Sequence, residues 1–340
     1  MTAVLITPTT EFLGRENLLI KSASESDLLE DVSEARLHET VSALASFGTR
    51  AFYTNSSHNS SIYIHDKLSE LGLWVYYQNL EVYGFQVRNV VAVKNGSDPA
   101  APQYLFGAHY DSVNRDVKDY SEGETTAAPG ADDDASGVAA VLEIATVLRD
   151  SAFENTVKFV AFTAEETGLN GSAYFVQQEE FAGVVYANTA IMDMIGFRAE
   201  TENRAMVFGG AVANTLAASI VSAVDKHGLS LSVDSVPGYS MVYSDHASFW
   251  SAGYPSLLVI EQLVDLAPVY PYYHTSNDTP DRLSFEQMTA ITKAILGGFL
   301  ILESPLKIDS ESLGLLVIGV SAIALVVVVI VYLAMRKKVL

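Results

Sequence analysis

At 340 residues with a formal charge of −21, the chain is long enough for one large core and too acidic to favour a nucleic-acid partner. It contains no cysteine, which excludes a disulfide frame and any thiolate zinc site. The negative field attracts cationic groups, such as the ammonium at a peptide's N-terminus.

Residues 1–34 are polar and acidic without clear periodicity and read as a mobile leader. Met1–Thr10 lacks a basic region and Pro8 breaks its apolar run, so it makes a poor signal peptide. Over Arg36–Phe47, the residues Leu37, Val41, Leu44 and Phe47 recur at helical spacing, and a second helix is predicted over Ser61–Leu71, ended by Gly72. Val75–Leu80 and Asn89–Lys94 read as strands, and the short apolar run Tyr104–Tyr110 as a buried one. The acidic, Gly/Ala/Pro-rich stretch Ser112–Ala131 reads as a surface loop. Ala135–Leu148 has a helical pattern, and Val157–Thr163 that of a central strand. A helix, the strand Thr189–Met194, the helix Asn214–Lys226 and the strand Ser256–Glu261 continue the alternation, and Phe285–Leu302 is the last helix of the domain. This order predicts one α/β domain over residues 35–303, with a central mixed, mostly parallel sheet flanked by helices.

Beyond a short stalk at 304–312, Leu313–Met335 carries no charged residue and reads as a transmembrane helix, long enough for a hydrocarbon core of ~30 Å. Arg336, Lys337 and Lys338 follow directly, so residues 336–340 form a basic cytoplasmic tail. The expected topology is single-pass, anchored in membrane lipid, with the folded domain outside the cytoplasm.

Candidate ligands stand at the ends of predicted strands. His109 and Asp111 in GAHYDS are two residues apart, so in an extended strand both side chains share a face. Asp132, Asp133 and Asp134 open a helix; capping uses one or two carboxylates, and the third is costly without a cation beside it. Glu165 and Glu166 directly follow an apolar run, and Asp193 ends another. At a strand end adjacent side chains diverge, so Glu166 can bind a metal while Glu165 faces a water as general base. His246 and His274 both suit a ligand role on composition, and spacing does not choose between them.

In order and spacing, these motifs, above all PGADDDASGVAAVLE and AEETGLNGS, resemble the M28 family of dizinc aminopeptidases, in its bacterial leucyl-aminopeptidase branch and the archaeal relatives. The resemblance runs from Arg36 to Leu302 and includes SFGTRAFYTNSS. It implies two Zn2+ per chain, with Asp133 bridging, His109 and Asp193 on one ion, and Glu166 and His274 on the other. It also implies that Glu165 is the general base, that Asp111 orients His109, that His246 lies near the site without binding metal, and that the Asp133–Asp134 peptide is cis. Relatives carry an oxyanion-stabilising tyrosine near the SDH segment; Tyr239 and Tyr243 flank that position here, and spacing selects neither.

The resulting expectation is a metal-dependent exopeptidase that releases N-terminal amino acids, preferably apolar ones, from peptides with a free N-terminus. Met194, Ile260 and Tyr273, with Leu263, Tyr270 and Tyr272, lie beside the motifs and are candidates for the side-chain pocket. The rivals are a carboxypeptidase-like or glutaminyl-cyclase relative and a non-catalytic receptor-like ectodomain. Cyclases of this resemblance lose part of the ligand set, whereas all five ligands are present here.

Overall fold

The computed structural model describes residues 23–115, 126–209, 214–237, 242–264 and 267–306. β1 (Trp74–Val82) and β2 (Phe85–Lys94) form an antiparallel hairpin that turns at Tyr83 and Gly84, both at positive φ (49° and 85°). Two left-handed residues in a two-residue turn match the twist of the strands they join. β3 (Gln103–His109), β4 (Val157–Phe162), β5 (Tyr186–Met192), β6 (Arg204–Gly209), β7 (Ser232–Pro237) and β8 (Ser256–Ile260) complete an eight-stranded sheet ordered β1-β2-β4-β3-β5-β8-β6-β7. β3 pairs in parallel with both β4 and β5, β5 with β8, and β6 with β7. The antiparallel pairings are β1 with β2, β2 with β4 and β6 with β8. β9 (Leu263–Val264) and β10 (Ala267–Pro268) form a separate two-stranded ribbon.

The central strands read as continuous apolar runs because helices cover both faces. Phe106, Phe159 and Val259 point into one layer, while Leu105, Val160 and Phe162 point into the other. The first layer holds α1 (Glu25–Asp31), α2 (Glu34–Ser46), α3 (Asn55–Glu70), α4 (Ala135–Leu148), α6 (Asn214–His227) and α8 (Phe285–Leu302). The second holds α5 (Asn170–Phe181) and α7 (His246–Ser251). α4 is mostly apolar and almost wholly buried, as suits a helix at the centre of a layer, and its one carboxylate, Glu143, pairs with Arg36. α8 is long and apolar enough to cross a bilayer, but 67% of it is buried inside this domain. It packs closely on α6: a Cβ on Gly298 would stand 2.7 Å from Ile220 Cγ1.

Three expectations change. The domain starts earlier than residue 35, because α1 lies inside the stretch read as leader. Its capping box joins Ser24 to Asp27, and Leu28, Leu29 and Val32 are buried in the main core. Seven residues are too short to display a helical repeat, which is why the sequence hid it. α3 begins at Asn55 rather than Ser61, with Thr54 as N-cap accepting from Ser57 N. β6 and β7, six residues each, extend the sheet on one side and are not among the strands expected from the sequence; β6 is apolar after Arg204, and β7 mixes Val with polar residues. Residues 1–22, the stalk from 307 on, the expected span 313–335 and the basic tail lie outside the described residues.

Candidate active site

Chain order reverses at β3: β4 lies on one side and β5 on the other. In an open α/β sheet the crevice beyond such a switch point receives ligands. His109 ends β3 with Asp111 two residues on, Glu165 and Glu166 follow β4, and Asp193 follows β5. Asp133 comes from the turn that opens α4, and His274 from the turn after Tyr270–Tyr273. All seven predicted residues meet in this crevice.

They form two overlapping triads, His109–Asp133–Asp193 and Asp133–Glu166–His274, each with donor atoms within 4.8 Å of one another. Asp133 is common to both. His109 Nε2 lies 3.2 Å from Asp133 Oδ1 and 3.7 Å from Asp193 Oδ1. His274 Nε2 lies 2.9 Å from Asp133 Oδ2 and 2.8 Å from Glu166 Oε2. A third grouping, His109–Glu165–Glu166, sets Glu165 beside both triads.

The donor set fits divalent cations. Asp133 Oδ2, Glu166 Oε1 and His274 Nε2 are buried and make no hydrogen bond, despite the short separations at His274. Buried polar atoms left in this state are costly unless an ion joins them. Imidazole plus carboxylate donors, three per triad, suit zinc with an open position for water or substrate.

The protonation equilibria carry the same strain. Burial pushes the Glu166 carboxyl up to about 8, with Asp133 adding and His274 opposing. Burial also raises Glu165 well above the ordinary range; His109 opposes it, and Glu166, Asp245 and Asp193 add to it. Burial pulls His274 down, but Asp133 and Glu166 prevail and leave it at about 10. His109 is likewise raised, burial being outweighed by Glu165, Asp111, Asp133 and Asp193. Burial acts upward on Asp133, yet His109 and His274 hold it well below the usual range. Bound cations displace these protons.

The backbone explains how the ligands are held. Asp111 accepts from Glu165 N at 3.1 Å and Glu166 N at 3.3 Å, and its Oδ1 lies 3.6 Å from His109 Nδ1. It therefore aligns a histidine and an acidic pair at once. The three consecutive aspartates do different work: Asp132 accepts from Gly196 N, Asp133 faces both triads, and Asp134 caps α4 through Gly137 N. The Asp133–Asp134 peptide is cis. Ala164, Met194 and His274 adopt left-handed φ (54°, 54° and 55°) beside or at ligand positions, the strained backbone that functional sites concentrate. Gly171, in the AEETGLNGS string, meets the loop so closely that a Cβ would lie 2.2 Å from Thr163 O.

Of the pocket candidates, Met194 and Ile260 are buried with Leu263 and Tyr270 in one apolar cluster, and Tyr272 and Tyr273 pack against it from partly open positions. Tyr273 stacks on His274 with ring centroids 3.7 Å apart. Tyr243 is exposed, and Tyr239 lies outside the described residues. His246 is buried edge-on to Trp250 and joins neither triad.

Sequence reading missed Arg50, the end of SFGTR. Its fully buried guanidinium donates to Tyr110 O (2.7 Å), Leu44 O (3.2 Å) and Gly130 O (2.9 Å), and also to Pro129 O. It thus clasps the backbone beside His109 and the loop entering Asp132–Asp134. Arg50→Met orphans these carbonyls, at about 1–3 kcal/mol each for those that water does not reach. A loss of several kcal/mol in urea unfolding is expected; a loss below about 1 kcal/mol contradicts the clasp.

Residues 89–298 match peptidase family M28. A leucine aminopeptidase 1 of Fusarium vanettenii is 29% identical over 294 residues, covering 82% of this chain and 72% of that protein. The LapA aminopeptidase of Legionella pneumophila superposes with a TM-score of 0.71 at 26% identity, over 83% of this chain and 75% of that one. A zinc aminopeptidase of Bacillus subtilis shares the fold with a TM-score of 0.68 at 18% identity, over 80% and 96% of the two chains. The strand order, the crevice of carboxylates and imidazoles at its switch point and this match over most of the folded domain lead to one assignment: the chain belongs to peptidase family M28.

Proposed function

We propose that this protein is a dizinc aminopeptidase that releases N-terminal amino acids, apolar ones foremost, from peptides. The observation that supports it best is the sharing of Asp133 between two complete triads, with an uncommitted carboxylate, Glu165, beside both. In this reading His109, Asp133 and Asp193 hold one zinc ion, and Asp133, Glu166 and His274 the other. When bound, the two ions supply Lewis acidity for the scissile carbonyl and acidify water.

The chain's own residues do the rest. Glu165 takes the proton of the attacking water and delivers it to the leaving amine nitrogen. Asp111 accepts the backbone N–H of Glu165 and so fixes the main chain from which this carboxyl reaches the site. The concentrated acidity of the crevice receives the substrate ammonium. Met194, Ile260 and Tyr273 are the residues proposed to receive the first side chain, and Tyr239 or Tyr243 is the tyrosine proposed to assist the oxyanion.

The test is turnover of Leu-p-nitroanilide against N-acetyl-Leu-p-nitroanilide by the full chain in detergent. Hydrolysis of the first alone is expected. Cleavage of the blocked substrate, trimming from the C-terminus, or cyclisation of N-terminal glutamine in place of hydrolysis each overturns the assignment.

Leu313–Met335 and the basic cluster after it support a single-pass anchor with the enzyme outside the cytoplasm. Protease added to intact cells is expected to remove the enzyme domain. Its survival until lysis contradicts that orientation and makes the substrates cytoplasmic peptides.

A further inference from the structure

We infer that Asp278 is a positioning residue that sets the affinity of one metal site independently of the other. The inference rests on the two-zinc reading above. Asp278 lies four residues beyond His274, is 2% exposed, and belongs to none of the ligand groupings found among the described residues. Its side chain reaches across 145 residues of sequence to the bridging carboxylate's own backbone. Asp278 Oδ2 accepts from Asp133 N at 3.2 Å, and Oδ1 accepts from Asp132 N at 2.9 Å and from Tyr270 Oη–H at 2.8 Å. Its carbonyl accepts from Ala131 N at 3.3 Å, and its own N–H returns to Thr275 O at 3.2 Å. The turn bearing His274 and the turn bearing Asp133 are thereby fastened into one piece.

The other triad has a separate fastening. Asp134 accepts from His109 N at 3.3 Å through Oδ2 and from Met194 N, the residue after Asp193, at 3.2 Å through Oδ1. It belongs to the same short turn as Asp133. The backbones of His109, Asp133 and Asp193 are therefore tied together without Asp278. The backbones of Asp133 and His274 are tied together by Asp278 alone among the side-chain hydrogen bonds on the described residues. Releasing Asp278 loosens the Asp133–His274 spacing and leaves the His109–Asp133–Asp193 spacing braced.

Asp278→Asn is the specific probe. The amide keeps one oxygen for Asp132 N and Tyr270, and turns an NH2 toward Asp133 N, donor against donor. The full chain is stripped of metal, and zinc is titrated back against a chelating indicator. Cobalt(II) is titrated in parallel by its visible absorption. Wild type is expected to show two tight ions. Asp278→Asn is expected to keep one ion at wild-type affinity and to bind the second roughly 10–100-fold more weakly, the usual consequence of removing a support behind a ligand. At limiting zinc its kcat falls while KM changes little, and excess zinc restores part of the loss. Tyr270→Phe moves the second ion in the same direction by a smaller factor, and it carries the titration if Asp278→Asn does not fold. Two ions at wild-type affinity in both variants, or equal weakening of both ions, overturns the inference alone. A wild type that takes up a single ion removes the two-zinc reading and this inference with it.

Discussion

Glu165→Gln is expected to retain two zinc ions per chain and to lose roughly 10²–10⁴-fold in kcat. Glutamine has the same shape, and the backbone at this position is fixed by Asp111 Oδ1, so the change removes proton acceptance without moving the loop. Both triads are complete without Glu165, which separates a base from a ligand. Zinc analysis with steady-state kinetics decides the matter. Near-normal kcat in the zinc-loaded variant removes Glu165 from the base role, and loss of an ion makes it a ligand.

Asp133→Ala is expected to abolish tight binding of both ions, because it removes a donor from each triad and the negative charge between them. Activity should fall by at least about 10²-fold, since even supports behind a ligand cost 10–100-fold. The clearest readout is linkage. Zinc at ~100-fold above its dissociation constant stabilises a binding protein by about 2.7 kcal/mol. Wild type should show such a zinc-dependent rise in Tm, and Asp133→Ala should show none. Two zinc ions per chain in this variant would assign the bridge to another residue.

The crevice was legible in the sequence because His109, Glu166 and Asp193 each end or follow a strand whose apolar run is easy to see. His109, Glu165 and Asp193 inherit their placement from β3, β4 and β5. The supports were not legible. Arg50 and Asp278 act through backbone groups far along the chain, and nothing in local spacing announces a guanidinium that clasps carbonyls near residue 130 or a carboxylate that receives Asp133 N. The run Asp132–Asp134 exceeds what capping needs; the family resemblance implies Asp133 as the shared ligand, and the fold adds that Asp134 caps α4 while Asp132 accepts from Gly196 N. α1 escaped notice because about two helical turns carry no clear repeat, and its place is set by burial of Leu28 and Leu29. Spacing leaves the choice between His246 and His274 open; the family resemblance implies His274, and the fold sets His274 in a triad and His246 outside both.

The central claim is a pair of zinc ions joined by Asp133, and anomalous diffraction at the zinc absorption edge from zinc-loaded crystals tests it most directly. The expected map has two peaks about 3.5–4 Å apart, one against His109 and Asp193, the other against Glu166 and His274, with Asp133 between them. A single peak, or a pair in which Asp133 contacts only one ion, contradicts it.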